Sequence, residues 1–265
     1  MTSLAYRSAG SGQPVIFVHG WGLDSLVWLE QLKGLSDCFR IIAVDLPGHG
    51  ATPPYESTLT ITAAARLLAE FIDELELETV HLVGWSLGAQ VVCFAALHAD
   101  NVRSLTIVNG TPCFAAKQKE DTWAVPLTKA KWTLRELEKN FINTLTEFIT
   151  TSFYTKKELK PQTGQTMKTY FFAEHFPPDK KSALELLTDL IETDLRPALG
   201  SSLENLPCLI CHGDRDSILP LEVVKVWENL LPSSRKKIFK NCGHAPFITQ
   251  PAAFNESLGK FLKSI

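Results

Sequence analysis

The sequence of 265 residues lacks several features that would assign it to a specialised class of protein. No apolar run reaches the roughly 20 residues that a membrane-spanning helix needs, so we expect no association with a membrane. The net charge is only −3, which argues against a protein that binds nucleic acid or a charged membrane surface. The segment from Met1 to Arg7 has no basic region followed by an apolar stretch. We therefore expect no signal peptide and a cytoplasmic location.

The cysteines are even in number, six, but their spacing is unsuited to disulfides or a metal site. Cys208 and Cys211 lie in an apolar run that is typical of a buried strand. Because side chains three residues apart in a strand point to opposite faces, these two sulfurs cannot bind one zinc ion. We expect free thiols buried in the core, as in a reducing compartment, and a protein that needs no metal or organic cofactor.

Short apolar runs alternate with amphipathic stretches along most of the chain. Runs of four or five residues without polar alternation are typical of strands buried on both faces, as in a parallel sheet. Between Thr60 and Leu75, apolar residues recur at spacings of three and four, which predicts a helix. This alternation predicts an α/β fold with a doubly wound, mostly parallel sheet. The predicted strands are Val15–Val18, Ile41–Val44, Thr79–Val83, Leu105–Val108, Cys208–Cys211 and Arg235–Phe239.

The alternation stops after Val108, and residues 114–196 contain no strand pattern. A segment this long is not a structureless connection. We predict a core of residues 1–113 and 197–265 with a helical lid, 114–196, inserted over the C-terminal edge of the sheet, where such sheets bind ligands. A helical layer remote from the site is the alternative. The predicted lid helices are 127–149, 166–172 and 181–191.

Charge is distributed unevenly within this insertion. Residues 117–168 carry ten Lys and Arg against six Asp and Glu, which makes the first half of the lid basic. A basic surface attracts an acidic partner, although a charged helix face is also simply well solvated.

A strand, a sharp turn and a helix are predicted around Gly84-Trp85-Ser86-Leu87-Gly88, which is the context of a nucleophile elbow. The flanking glycines leave room for the tight turn. The elbow would lift the hydroxyl of Ser86 clear of the sheet at the N-terminus of a helix, where N–H groups favour negative charge. We predict Ser86 as the nucleophile and the backbone N–H of Leu87 as one oxyanion donor.

A serine nucleophile needs a base, and in this arrangement the chain order is serine, acid, histidine. Of seven histidines only His244 follows the candidate acids, and it lies on a loop just past the last predicted strand. Asp214 and Asp216 both follow the strand 208–211. We favour Asp216 because it lies further into the loop. The second oxyanion donor should come from the loop after the first predicted strand, where Trp21 N–H is the candidate.

Taken together, the motifs resemble those of the α/β-hydrolase superfamily over almost the whole chain. They are His19-Gly20-Trp21-Gly22, Asp45-x-Pro47-Gly48-x-Gly50, Gly84-x-Ser86-x-Gly88, Gly213-x-x-Asp216 and Gly243-His244. Finer details resemble one family of carboxylesterases within it, which acts on pimeloyl-[acyl-carrier protein] methyl ester in biotin synthesis. These details are Leu23 with Trp28, Pro112-Cys113-Phe114, Asp194-Leu195-Arg196 and His244-Ala245-Pro246-Phe247-Ile248 with Pro251 and Phe254.

This resemblance implies a triad of Ser86, Asp216 and His244, and an acyl-binding segment that includes Phe148 and Ser152. It also implies an acyl-carrier protein as partner, docked on the basic lid. Members of that family bind the carrier through lid arginines, whereas the nearest positions here are Asn143 and Glu147. Lysines could supply the positive field instead, without the bidentate geometry of arginine. They are Lys129, Lys131, Lys139, Lys156, Lys157, Lys160 and Lys168.

We therefore expect a monomeric serine carboxylesterase that removes methanol from a carrier-bound methyl ester. A second hypothesis keeps the same residues but has them hydrolyse small free esters, or a carbon–carbon bond. A third is a ligand receptor without catalysis, which an intact triad argues against.

Overall fold

In the computed structural model, residues 3–152, 177–199 and 203–265 are described. Within these residues seven strands form one sheet in the order β1-β3-β2-β4-β5-β6-β7. All neighbouring strands are parallel except β1 and β3. The strands are β1 (Tyr6–Ala9), β2 (Pro14–Val18), β3 (Arg40–Val44), β4 (Val80–Trp85), β5 (Val102–Val108), β6 (Cys208–Gly213) and β7 (Arg235–Phe239).

Helices cover both faces of this sheet, since every residue of the central strands β4 and β6 is buried. Helices α2 and α3 pack against each other, and α1 packs against α10. None of the helices in the described ranges is both long and apolar enough to cross a bilayer. Besides a 3₁₀ turn at Ser25–Trp28, the helices are α1 (Leu29–Gly34), α2 (Ile61–Glu74), α3 (Leu87–Ala96), α4 (Leu127–Lys139), α5 (Phe141–Thr151), α6 (Lys180–Glu192), α7 (Arg196–Leu199), α8 (Val223–Leu230), α9 (Pro246–Thr249) and α10 (Pro251–Leu262).

The predicted α/β architecture is confirmed: all six predicted strands are present, and so is helix α2. Thr60 precedes α2 as its N-cap, and its hydroxyl accepts the N–H of Ala63 at 3.0 Å. The seventh strand, β1, was not predicted. It pairs antiparallel to β3 at the edge of the sheet, and because Tyr6, Arg7 and Ser8 are exposed there, the strand has no apolar run.

The insertion contains helices α4, α5 and α6 in its described part. The prediction of a single helix over 127–149 is wrong. The helix is interrupted at Asn140, whose φ of −140° and ψ of 72° are not helical. The helix predicted over 181–191 is confirmed as α6, and the one predicted over 166–172 lies outside the described residues. The division into a core and a lid at residues 114 and 196 stays a prediction.

Helix α6 is hydrogen-bonded to the residues at the start of α2. Asp189 Oδ2 accepts the N–H of Ile61 at 2.7 Å, and Glu185 Oε2 accepts the N–H of Leu59 at 2.9 Å. The first N–H groups of a helix have no partner within it, so a carboxylate there both satisfies them and complements the helix dipole. Two acidic residues of the insertion therefore stabilise the beginning of a core helix.

Gly88 and Gly259 are both helical glycines, in α3 and α10, but their surroundings differ. A Cβ on Gly88 would lie 2.5 Å from the carbonyl oxygen of Val18, whereas one on Gly259 would meet only Leu35 Cδ2, at 3.8 Å. Gly88→Ala should lower the free energy of unfolding, measured by urea denaturation, by about 2 kcal/mol. Gly259→Ala, the matched control, should raise it by about 0.5–1 kcal/mol, since alanine is the better helix former. A Gly88→Ala protein as stable as the unsubstituted one would contradict this packing.

Candidate active site

Ser86 lies in the sharp turn between β4 and α3. Its φ of 55° and ψ of −115° are strained for a residue with a side chain. The turn is tied to the neighbouring strand β5 by the N–H of Ser86, which donates to the carbonyl of Val108 at 3.0 Å. A Cβ on Gly84 would lie 2.3 Å from the carbonyl oxygen of Gly88, so no larger residue fits there. The local geometry is that of the elbow expected from the sequence, and Ser86 itself is half-buried.

His244 and Asp216 are in contact on two neighbouring loops, after β7 and β6. His244 Nδ1 lies 2.6 Å from Asp216 Oδ2. The other carboxylate oxygen accepts the backbone N–H groups of Ile218 and Leu219 at 2.8 and 3.0 Å. Burial alone would raise the pKa of Asp216, but the charge and hydrogen bond of His244, together with the other donors, lower it. The carboxylate is therefore ionised at neutral pH.

An ionised acceptor at Nδ1 fixes the tautomer of His244, because the proton must then lie on Nδ1 and Nε2 is left as an acceptor. Nε2 is buried and has no hydrogen-bond partner among the described residues. The main chain of His244 is close to the elbow, since Trp85 Nε1, next to Ser86, donates to the carbonyl of His244 at 2.8 Å. No hydrogen bond joins this nitrogen to the Ser86 hydroxyl in the described structure, but Nε2 is left as an acceptor on a residue whose main chain contacts the elbow, which suits a general base that tightens onto the serine when substrate binds.

Asp214, the alternative acid, does not contact His244. Its carboxylate lies 3.6 Å from Lys240 Nζ and 3.4 Å from the backbone nitrogen of Cys242. The geometry therefore brings Asp216, and not Asp214, to the histidine.

The loop after β2 packs against the elbow. A Cβ on Gly20 would lie 3.3 Å from Ser86 Cβ, which brings the main chain of Trp21 close to the serine. His19 holds this loop, because its Nε2 accepts the N–H of Leu46 at 3.0 Å and its Nδ1 lies 2.8 Å from the carbonyl of Gly20. Trp21 and Leu87 are the two residues whose N–H groups were predicted to stabilise an oxyanion. Leu87 is the first residue of α3, so its N–H has no partner within the helix.

Several lid residues contact these same loops. The indole Nε1 of Trp21 donates to the carbonyl of Ala183 in α6 at 2.7 Å, which leaves the backbone N–H of Trp21 as the candidate donor. Phe148 of α5 packs edge-on against the ring of Trp21, with 5.2 Å between centroids. Ser152 is buried just after α5, and its carbonyl accepts the backbone N–H of His244 at 2.7 Å. Phe148 and Ser152 thus lie beside the predicted triad.

A cavity of about 390 Å³ lies between the lid helices and the loop that follows Asp216. Phe148 lines it as well as contacting Trp21, and Ser217 and Ile218 line it from the core side. Most of the other lining side chains are apolar or uncharged and come from the segment before α4 and from α4, α5 and α6. They include Phe114, Val125, Ala130, Trp132, Thr133, Thr144 and Leu187.

The basic character predicted for the lid is partly visible in the structure. Lys129, Lys131 and Arg135 are exposed on α4, while Lys139 is paired with Glu136 at 2.9 Å. Asn143 and Glu147 are exposed on α5. The remaining predicted lysines, Lys156, Lys157, Lys160 and Lys168, lie outside the described residues.

The other buried histidines are held as neutral structural groups. Burial lowers the pKa of His49 to about 3 and that of His81 to about 4. Burial also lowers the pKa of His19 and of His212. In the described part of the chain, no group of three or more His, Cys, Asp or Glu side chains is arranged to hold a metal ion.

Sequence reasoning missed Asn109, which follows β5. Its side-chain nitrogen donates to Asp216 Oδ2 at 2.7 Å, and the residue is fully buried with a φ of 42°. The sequence did contain one signal for Asn109: it is a polar residue directly after an apolar strand, at the edge of the sheet where ligands bind.

A family model described as the α/β hydrolase fold matches residues 13–251 of the chain. Two curated proteins named pimeloyl-[acyl-carrier protein] methyl ester esterase are similar over nearly the full length. The one from Vibrio vulnificus is 31% identical, with 98% of each chain covered. The one from Nitrosomonas europaea is 30% identical, with 96% of this chain and 97% of the relative covered.

Solved structures share the fold at lower sequence identity. An esterase from Exiguobacterium antarcticum has a TM-score of 0.90 at 24% identity, covering 99% of this chain and 96% of that one. A bromoperoxidase from Bacillus anthracis has a TM-score of 0.84 at 24% identity, covering 98% and 95%. At this identity the likeness extends to the fold alone.

The two aspartates of the loop provide a matched test of the acid. Asp216→Asn should lower kcat by about 10⁴-fold, since an amide no longer fixes the histidine tautomer. Asp214→Asn should leave kcat within about 2-fold, because its partners are Lys240 and the main chain of Cys242. Steady-state hydrolysis of a p-nitrophenyl ester measures both values. Equal losses in the two variants would show that the acid is wrongly assigned.

Proposed function

The chain belongs to the α/β-hydrolase family, and we propose that it is a serine carboxylesterase whose triad is Ser86, His244 and Asp216. One observation carries this proposal. Next to a serine held in a strained turn, the His244 ring has Nδ1 bound to an ionised carboxylate and Nε2 unpartnered within the described structure. This arrangement activates a hydroxyl for attack on an acyl carbon.

The reaction follows from these positions. Ser86 Oγ attacks the ester carbonyl while His244 Nε2 takes the hydroxyl proton, and Asp216 stabilises the resulting imidazolium. The backbone N–H groups of Trp21 and Leu87 stabilise the oxyanion, each contributing roughly 3 kcal/mol. His244 then returns the proton to the departing alkoxide, which leaves as alcohol. Water, deprotonated by the same histidine, attacks the acyl-enzyme and releases the acid and Ser86.

The substrate we propose is pimeloyl-[acyl-carrier protein] methyl ester, after which both of these relatives are named. Methanol is the leaving group of this ester. The pimeloyl group stays attached to its carrier and is released from the enzyme with a free carboxylic acid at its other end. The cavity of about 390 Å³ under the lid, with its largely apolar lining, is suited to the aliphatic part of such a substrate.

We further propose that the carrier docks on the outer face of α4. Lys129, Lys131 and Arg135 are exposed there, and Trp132, which is 60% exposed, lies three residues from both Lys129 and Arg135. Trp132 and Lys129 also line the cavity, so this face borders its opening. Basic side chains around an aromatic residue favour an acidic protein partner, and long-range attraction would speed its encounter.

The cellular setting belongs to the same proposal. All six cysteines are free, and burial raises the pKa of Cys93 to about 12 and of Cys113 to about 11. Five of the six are buried, as expected from the sequence, whereas Cys38 is exposed at the surface and not in the core. Free, largely buried thiols support a cytoplasmic location. That the protein acts as a monomer stays a prediction.

Methanol release tests the substrate directly. Purified protein incubated with pimeloyl-carrier methyl ester should release one methanol per carrier, and Ser86→Ala should lower kcat by about 10⁶-fold. Release no faster than with Ser86→Ala would exclude this substrate. If p-nitrophenyl esters were still hydrolysed, the free-ester hypothesis would replace it. If the acyl group instead stayed bound after one turnover, the receptor hypothesis would return.

Charge reversal tests the docking face. The double variant Lys131→Glu/Arg135→Glu should lower kcat/KM for the carrier-bound ester by at least about 10-fold, with a weaker dependence on salt. A free p-nitrophenyl ester should be hydrolysed within about 2-fold of the unsubstituted protein.

The matched control makes the same change in net charge elsewhere. Lys33→Glu/Lys263→Glu alters exposed lysines at α1 and after α10, which line a separate cavity. Equal losses in the two double variants would show that only the total charge matters and that α4 is not the docking face.

A further inference from the structure

We propose that Asn109 is a positioning residue that holds the carboxylate of Asp216 in place for His244. The inference rests on the proposed function, because it assigns Asp216 and His244 their roles. Asn109 Nδ2 donates to Asp216 Oδ2 at 2.7 Å, and the same oxygen lies 2.6 Å from His244 Nδ1. One carboxylate oxygen therefore has two donors, one from the base and one from a residue that takes no part in proton transfer.

The orientation of the Asn109 amide follows from its partners. Turned the other way, its oxygen would face a carboxylate oxygen at hydrogen-bond distance, which is repulsive. The nitrogen also lies 3.5 Å from the carbonyl oxygen of Gly243, the residue before His244. Asn109 is therefore a donor toward both the acid and the loop that carries the base.

The backbone of Asn109 is fixed from both sides. Its N–H donates to the carbonyl of Cys211 in β6 at 2.8 Å, and the preceding residue, Val108, accepts the N–H of Ser86. Its φ of 42° lies in the left-handed region, which asparagine and aspartate adopt more easily than other residues with a side chain. The strain places an amide between the strand ends that carry the nucleophile and the acid.

The Asn109 amide helps to keep the buried carboxylate of Asp216 ionised and in one orientation. Asp216 is fully buried, and burial disfavours its ionised form. His244 contributes most to offsetting that cost, followed by His212, whose Nε2 lies 3.7 Å from Asp216 Oδ2, and by the Asn109 amide; the backbone N–H groups of Ile218 and Leu219 bind the other oxygen. Because Asn109 does not gain or lose a proton, its bond persists while His244 alternates between imidazole and imidazolium. The carboxylate then keeps one orientation throughout the cycle.

Two substitutions separate orientation from charge. Asn109→Gly removes the donor and tolerates the left-handed backbone, and it should lower kcat by about 10–100-fold with KM changed by less than about 3-fold. Asn109→Asp is nearly isosteric but puts a second carboxyl group against Asp216; the two share a proton at low pH, and once both are ionised the added negative charge favours the imidazolium. This variant should keep the base protonated to higher pH and move the acidic limb of the kcat/KM profile up by about one pH unit or more.

The matched controls are Asn241→Gly and Asn241→Asp. Asn241 has the same backbone conformation, with a φ of 53°, but is exposed on the loop before His244. We expect these variants to keep the kcat and the pH profile of the unsubstituted protein. Thermal unfolding of every variant establishes that folded protein is compared, and a p-nitrophenyl ester serves as substrate so that the carrier is not involved.

The outcomes are distinct. The proposal is overturned if folded Asn109→Gly retains full kcat and Asn109→Asp leaves the acidic limb unmoved, or if the Asn241 variants change in parallel. A reduced kcat together with the displaced limb, confined to position 109, supports it. Undiminished activity in Ser86→Ala would instead refute the proposed function, which is a separate failure.

Discussion

The positive φ of Ser86 is the constraint on which the site depends. It turns the chain from β4 into α3 at a single residue, so that Ser86 directly precedes the first N–H of a helix. The strain persists because the surroundings leave no alternative: Gly84 and Gly88 lie against each other, and the Ser86 N–H is bound to the neighbouring strand. The loop after β2 packs closely on this turn at Gly20, where a Cβ would lie 3.0 Å from the Trp85 ring and 3.3 Å from Ser86 Cβ.

The sequence predicted most of the parallel sheet because strands buried on both faces are visible as apolar runs. The same rule explains the missing β1, whose polar edge position leaves no such run. The break at Asn140 was invisible because apolar residues continue at helical spacing on both sides of it, at Leu137, Phe141 and Leu145. The sequence favoured Asp216 over Asp214 but could not decide between them, because loop geometry determines which carboxylate reaches His244. Asn109 was missed because its partner is 107 residues away.

The predicted insertion contacts the proposed site as closely as the predicted core does. Its main chain accepts hydrogen bonds from three elements that carry the proposed chemistry: Ala183 from the Trp21 indole, Ser152 from the His244 N–H, and Thr151 from the Ser217 hydroxyl beside Asp216. Carbonyls at the end of α5 carry the negative end of its dipole, which suits N–H and O–H donors. A carrier bound on α4 would therefore contact the same helical unit that orients the histidine loop.

The carboxylates of Glu185 and Asp189 have a consequence for how this chain can be shortened. A minimal protein made by excising the insertion would lose the acceptors of Leu59 and Ile61, and both N–H groups would face either water or a repacked interior. The remaining residues would therefore not form an independent fold of equal stability: truncation would weaken helix α2, whose acceptors lie more than 120 residues further along the chain, rather than merely uncover a pocket.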